Sequence, residues 1–179
     1  MREKLIVISG PSRAGIGEIV AALFAQDDRL APVVPVTARK RKEGEKNGVG
    51  FFFFELEEWT AMKASGDLLE TTEFAGNDYG TSRKLVEEQF ARGRSVLMER
   101  ELARATQIKE HMPEAVCVYV EPSPAVLEER LRAVSRSELE LSLRLQTAAR
   151  LREQSAFCDR HICSDDLAAA AAEIKSLIG

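Results

Sequence analysis

Between an apolar run and a helix-forming stretch the chain carries Gly10-Pro11-Ser12-Arg13-Ala14-Gly15-Ile16-Gly17. Gly10 and Gly15 have the spacing of a phosphate-binding loop, G-x-x-x-x-G-K-[ST]. In that loop backbone N–H groups curl round phosphate oxygens, a lysine neutralises them and a Ser/Thr hydroxyl reaches magnesium. Here Ile16 stands at the lysine position and Gly17 at the hydroxyl position, so the backbone pattern is kept and both side-chain groups are lost. Losing an ammonium beside a transferring phosphoryl group removes several kcal/mol of transition-state stabilisation. Arg13 is the cation within the loop that could swing in as a replacement. Glu18 suits the start of a helix but repels a polyphosphate.

The loop needs a strand before it and a helix after it. Lys4–Ile8 is a continuous apolar run suited to a central parallel strand, and Ile19, Val20, Leu23 and Phe24 recur at helical spacing. Residues 32–37 read as one strand whose prolines imply an edge or a strand end, where the missing N–H is tolerated. Residues 39–48 are charged and end in Asn47-Gly48, the strongest turn signal in the chain. Phe51–Phe54 is four aromatics in a row, so an alternating strand puts two rings on each face and one pair must meet another layer or a ligand. Residues 67–70 and 73–75 predict two short strands and residues 76–82 a loop, with Ser82 capping a helix over 83–92 that Gly93 ends.

Strands over 95–98, 116–120 and 161–163 alternate with helices over 102–111, 125–133, 138–156 and 167–178. Strand–helix alternation predicts an α/β fold, a parallel sheet with helices on both faces like that of P-loop NTPases, interrupted by an inserted β-rich lobe.

At 179 residues the chain is expected to be one domain. A net charge of −4 argues against binding nucleic acid over a broad surface. Cys117, Cys158 and Cys163 are odd in number and lack close pairing, which predicts reduced thiols and neither a disulfide scaffold nor a zinc site. No apolar run approaches the roughly 18 residues of a membrane span, and the expected location is cytoplasmic.

The order of motifs resembles guanylate kinases and the guanylate-kinase-like domains of scaffold proteins across nearly the whole chain. The family pattern is a GPSGAGK[ST] loop, an arginine- and glycine-bearing segment, YG[ST], a strand ending in D-x-D, an arginine-bearing lid and a terminal NDD. The resemblance implies a core of about 1–34 and 83–179, a GMP-binding-type lobe of about 35–82 and a helical lid of about 130–150.

Carried residue by residue, it places a phosphate grip at Arg39, Lys42 and Phe51, where the second arginine has become an amine and the phenol is lost. It puts the guanine-reading carboxylate at Glu70, the YG[ST] phenol and hydroxyl at Tyr79 and Thr81, and the acidic pair at Glu99 and Glu101. Lid arginines fall on Arg130 and Arg144, with Val134 at an intermediate arginine position and Arg136 beside it. The adenine-contacting asparagine aligns with Ser164, ahead of Asp165-Asp166. Pro35 stands at a family serine, as in scaffold-type members.

With Gly10, Ser12, Arg13 and Gly15 read as a degenerate P-loop, the leading expectation is a domain without kinase activity. It needs no cofactor or metal and binds a protein segment, phosphorylated or not, through the former GMP lobe. The alternatives are an active guanylate kinase using ATP, Mg and GMP through an atypical loop, and a non-catalytic sensor of GMP or GDP.

Overall fold

The computed structural model describes residues 3–178; residues 1, 2 and 179, the outer ends of the expected core segments, lie outside it. Five strands form a wholly parallel sheet: β1 (Leu5–Ser9), β2 (Leu30–Pro32), β7 (Ser95–Glu99), β8 (Val116–Glu121) and β9 (Arg160–Cys163), in the order β2-β7-β1-β8-β9. Every residue of β1 is buried, which explains its unbroken apolar run. Ile6 and Ile8 face α1 (Ile16–Gln26) and α7 (Leu167–Ile178), while Leu5 and Val7 face α3 (Arg83–Ala91) and α4 (Leu102–His111). Two helical layers sandwich the sheet and set the end of β1, where the loop begins, at the sheet's carboxyl edge.

The stretch expected as one strand over 32–37 is divided between two sheets. Its start lies in β2 at the edge of the core sheet, and β3 (Val36–Thr37) belongs to a second sheet of order β4-β3-β6-β5. That sheet is completed by β4 (Phe52–Phe53), β5 (Leu68–Phe74) and β6 (Asn77–Ser82). The residues expected as a loop over 76–82 are therefore a strand. Ala75 and Gly76 both adopt positive φ, 49° and 71°, and make the two-residue turn that pairs Phe74 with Asn77. The signal was hidden because most of β6 is polar and shows no apolar alternation.

The aromatic run alternates as expected: Phe52 and Phe54 pack with Val36, Leu68 and Trp59 of α2 (Leu56–Ser65), leaving Phe51 and Phe53 for the other face. Helices α5 (Pro124–Arg132) and α6 (Glu138–Gln154) pack through Leu127, Leu131, Leu141 and Ala148. Of the thiols, Cys117 and Cys158 are joined as a disulfide and only Cys163 is free, correcting the expectation of three reduced cysteines. The pairing is between β8 and the turn before β9, a contact that sequence spacing does not reveal.

Candidate functional site

Two cavities lie at the carboxyl edge of the core sheet and beside the lobe. The first, about 690 Å³, is lined by the whole of residues 10–18 together with Glu99, Arg130, Ala133, Val134 and Leu167. The loop and the start of α1 supply most of its wall. Gly15 adopts φ 82° and precedes α1 as an N-cap with no side-chain cap, so the helix opens its N-terminal N–H groups toward the cavity. A Cβ on Gly10 would stand 2.1 Å from the Val120 carbonyl oxygen, and one on Gly15 would meet Leu167 at 2.4 Å. The loop is thereby pinned between β8 and α7.

Ile16 turns into the core cluster of the sheet, and a Cβ on Gly17 would meet nothing within 4 Å. The lysine position has become part of the hydrophobic core and the hydroxyl position is open space. Two guanidinium groups remain nearby. Arg13 is exposed, makes no side-chain hydrogen bond among the described residues and sits in the left-handed region at φ 68°, where a non-glycine residue is strained. Arg130 reaches back from α5, its Nη1 3.4 Å from the Arg13 carbonyl oxygen and its Nη2 2.9 Å from that of Ser164.

The other expected lid residues are elsewhere. Arg144 pairs with Glu140 at 2.8 Å, and Arg136 is exposed with its backbone N–H donated to Glu140. Neither lines the cavity. The Ser164 hydroxyl is buried without a hydrogen-bond partner among the described residues. Glu99 lines the cavity. Among the described residues no group of three or more His, Cys, Asp or Glu forms a metal cage. Magnesium held through one or two carboxylates and substrate phosphates needs no such cage.

The second cavity, about 620 Å³, is lined by Pro35, Phe51, Thr72, Glu73, Phe74, Tyr79, Arg100, Glu101 and Arg104. Of the expected residues, Phe51, Tyr79 and Glu101 reach it. Arg39 does not. Its guanidinium forks onto Glu45 at 2.8 and 2.5 Å and lies over the rings of Phe51 and Phe53, 5.4 and 5.0 Å from their centroids. Hydrogen bonding from Arg39 holds the Glu45 carboxyl down to about 2, so both groups stay charged across ordinary pH. Lys42 is exposed and contributes its backbone N–H to Glu45 at 2.7 Å.

Glu70 and Thr81 are buried and absent from the lining. The Glu70 carboxylate accepts four hydrogen bonds: from Arg104 Nε at 2.6 Å and Nη2 at 2.8 Å, from Arg100 Nε at 3.2 Å and from the Thr81 hydroxyl at 2.7 Å. Burial by itself would raise this carboxyl, but the Arg104 and Thr81 hydrogen bonds and the two guanidinium charges outweigh it and hold it below its ordinary value. Burial pulls the Arg100 guanidinium down against the charge of Glu70. The motif pattern did not single out Arg100 and Arg104. A basic residue set inside the Glu99/Glu101 pair, with a second four residues on, was the available signal.

Residues 2–179 match the family model for guanylate kinase. The chain is 38% identical to a guanylate kinase of Synechocystis over 100% of this chain and 95% of that protein. It is 34% identical to a guanylate kinase of Enterococcus faecalis over 99% of this chain and 88% of that protein. The crystal structure of guanylate kinase from Anaplasma phagocytophilum superposes with a TM-score of 0.63 at 25% identity, covering 98% of this chain and 84% of that one.

These findings correct the leading expectation from the loop. Relatives matched along their length are kinases by name, which overturns the reading of a non-enzymatic module binding a protein segment without a cofactor. That expectation gave the two lost side chains more weight than the guanidinium groups of Arg13 and Arg130, which line the same cavity as the loop.

Proposed function

The chain belongs to the guanylate kinase family, and we propose that it transfers the γ-phosphoryl group of ATP, as its magnesium complex, to a phosphate oxygen of GMP, giving ADP and GDP. The observation that carries this reading is the full-length match to guanylate kinases, set on a fold with one cavity at the loop and another at the lobe. The core of about 1–34 and 83–179 takes the donor, the lobe of about 35–82 takes the acceptor, and about 130–150 forms the lid. The setting is cytoplasmic.

Supporting the donor assignment are the uncapped N-terminus of α1 and the glycine-pinned loop around it. Arg13 and Arg130 supply the positive charge that an ammonium at position 16 would have supplied, and Glu99 is the carboxylate placed to hold magnesium against the phosphates. A strained arginine in a loop that would prefer glycine fits such a task, because strain persists where function requires the side chain. Phosphoryl transfer asks chiefly for positioning and charge neutralisation, and two guanidinium groups can meet both demands.

In the lobe, Tyr79 and the Arg39 region supply phosphate contacts once Arg39 exchanges Glu45 for the acceptor phosphate. A coupled assay of ADP release with ATP, magnesium and GMP tests the reading directly. GMP-dependent turnover well above the ATPase background is expected. Absence of GDP formation at millimolar substrates would overturn it.

A further inference from the structure

Cys117, Tyr119 and Glu121 alternate along β8 and so share one face of the sheet. Each meets a residue from the end of α6 or the chain that follows it. Cys117 is joined to Cys158, the Tyr119 ring lies 5.4 Å from that of His161, and Glu121 Oε1 accepts from Arg152 Nε at 2.6 Å. Beside the disulfide, the Asp159 carboxylate accepts the Cys117 N–H at 2.8 Å and holds Lys109 Nζ at 3.0 Å. Both ion pairs are partly exposed, and such pairs contribute little. The covalent bond is the firm member of this seam.

The two cysteines stand 41 residues apart, and the segment between them holds α5 and α6, with Arg130 at the loop cavity. The lid proposed above leaves from β8 and returns to β9, so the disulfide closes both of its stems at their base. A cross-link of this kind removes conformational freedom that the opened chain would recover. In the proposed cytoplasmic setting thiol pools keep cysteines reduced, and the disulfides that do form there are transient or redox-sensing. Cys117 has no exposed surface and Cys158 keeps 9%, which leaves one sulfur of the pair open to attack.

We propose that Cys117 and Cys158 are a thiol–disulfide couple that governs the donor site. Oxidised, the pair staples the lid stems and holds Arg130 at the loop cavity; reduced, it releases them and donor binding weakens. The inference rests on the lid and donor site assigned above and deepens that reading by naming its regulation. Reduction starts when a thiolate of a small dithiol attacks Cys158 Sγ. The Cys117–Cys158 bond breaks, and Cys117 leaves as a thiolate and takes a proton. The reductant's second thiol then attacks the mixed disulfide, freeing Cys158 and closing the reductant into its own disulfide, a two-electron exchange. A small disulfide such as oxidised glutathione reverses it, with two glutathione thiols released.

Thiol titration, thermal melting and calorimetric titration of the intact protein, poised with dithiothreitol or with oxidised glutathione, test this. The oxidised form is expected to show only the Cys163 thiol, and the reduced form the Cys117 and Cys158 thiols as well. Reduction should lower the melting temperature by about 10 °C, the order set by freeing a loop of this length in a domain of this size. It should weaken ATP about fivefold, because Arg130 must again be immobilised on binding, and leave GMP within about twofold. Oxidised glutathione should restore both. Cys158→Ser should behave as the reduced parent under either poise, and Cys163→Ser should respond as the parent does. The parent compared with itself decides the question even if Cys158→Ser fails to fold.

A bond that millimolar dithiothreitol cannot open in the folded protein, or free Cys117 and Cys158 under the oxidising poise, would overturn the couple. A lower melting temperature with ATP affinity unmoved would make the bond a structural staple and overturn its hold on the donor site. Equal weakening of ATP and GMP would overturn it too, as a general loosening. The expected affinities without GDP formation in either state would overturn the kinase reading and support the inference. GDP formation with no redox response would do the reverse. Failure to bind ATP in either state would overturn both.

Discussion

In the loop of residues 10–17 the side chains that would touch phosphate are replaced and the backbone that would hold it is kept. In the lobe, most of the expected charged residues are present, yet Arg39 is closed on Glu45 and Glu70 on Arg100 and Arg104. One region is built from backbone and glycine sterics, the other from charges that satisfy each other. Backbone sites fail when a Cβ intrudes, and charge clusters fail when one member is removed. Around the loop, side-chain changes should therefore move catalysis with little effect on stability. Around Glu70 the same kind of change should move stability first.

The largest effect is expected for Glu70→Ala, which leaves two partly buried guanidinium groups without their carboxylate. Breaking a buried pair in this way costs about 3–5 kcal/mol, readable as a lower midpoint in urea denaturation. An unchanged midpoint would mean that the cluster is solvated in solution and the contrast with the loop is false.

Gly10→Ala should follow at about 1–3 kcal/mol, because its Cβ would collide with the Val120 carbonyl oxygen and force the loop off β8. Donor binding should be lost with it, whereas a fully stable variant retaining ATP affinity would show that the loop is not held by that contact.

Arg13→Gly separates the two regions further. Relief of the left-handed backbone conformation should stabilise the fold by up to about 1 kcal/mol. Steady-state kinetics should meanwhile show kcat/KM for ATP falling about tenfold, about 1.4 kcal/mol of transition-state stabilisation with Arg130 left in place. Equal kcat/KM in the variant would remove Arg13 from the donor site.

The smallest effect concerns acid. Because the Glu70 carboxyl is held below its ordinary 4.5, the unfolded chain takes up that proton first. Its stabilisation is complete above about pH 5 and fades as pH falls through the folded-state value. Asp27, held down from 3.8 to about 2 chiefly by the hydrogen bond from Arg29, follows the same sign between about pH 4 and pH 2. Melting curves of Glu70→Gln should show a flatter acid limb than the parent, and those of Arg13→Gly the parent's slope. A steeper limb in Glu70→Gln would reverse the assignment.

Local patterns carried much of the architecture. The buried run of β1, the Gly10/Gly15 spacing and the helical periodicity after it each describe contacts within a few residues or a single face, so strand, loop and helix were legible. The alternation of Phe51–Phe54 was legible for the same reason, since side chains of a strand must point to opposite faces. The strand over 77–82 was not, because polar residues there pair with β5 through backbone hydrogen bonds that leave no apolar trace. Residue types at positions 16 and 17 pointed away from a kinase because two absent side chains say nothing of what else faces the cavity.

The α/β frame, the place of the phosphate loop and the loss of its lysine and hydroxyl follow from residue identity and short spacing, and the chain carries them without reference to its folded form. Packing in three dimensions was needed to put Ile16 in the core, to bring Cys117 to Cys158, and to enclose Glu70 between two arginines 30 and 34 residues away. The reason is physical: which charge neutralises which depends on how β5, β6 and α4 converge, and that convergence is set by burial of the apolar faces beneath them. The identity of Glu70 was written in the chain, but the direction its carboxylate faces was settled by packing.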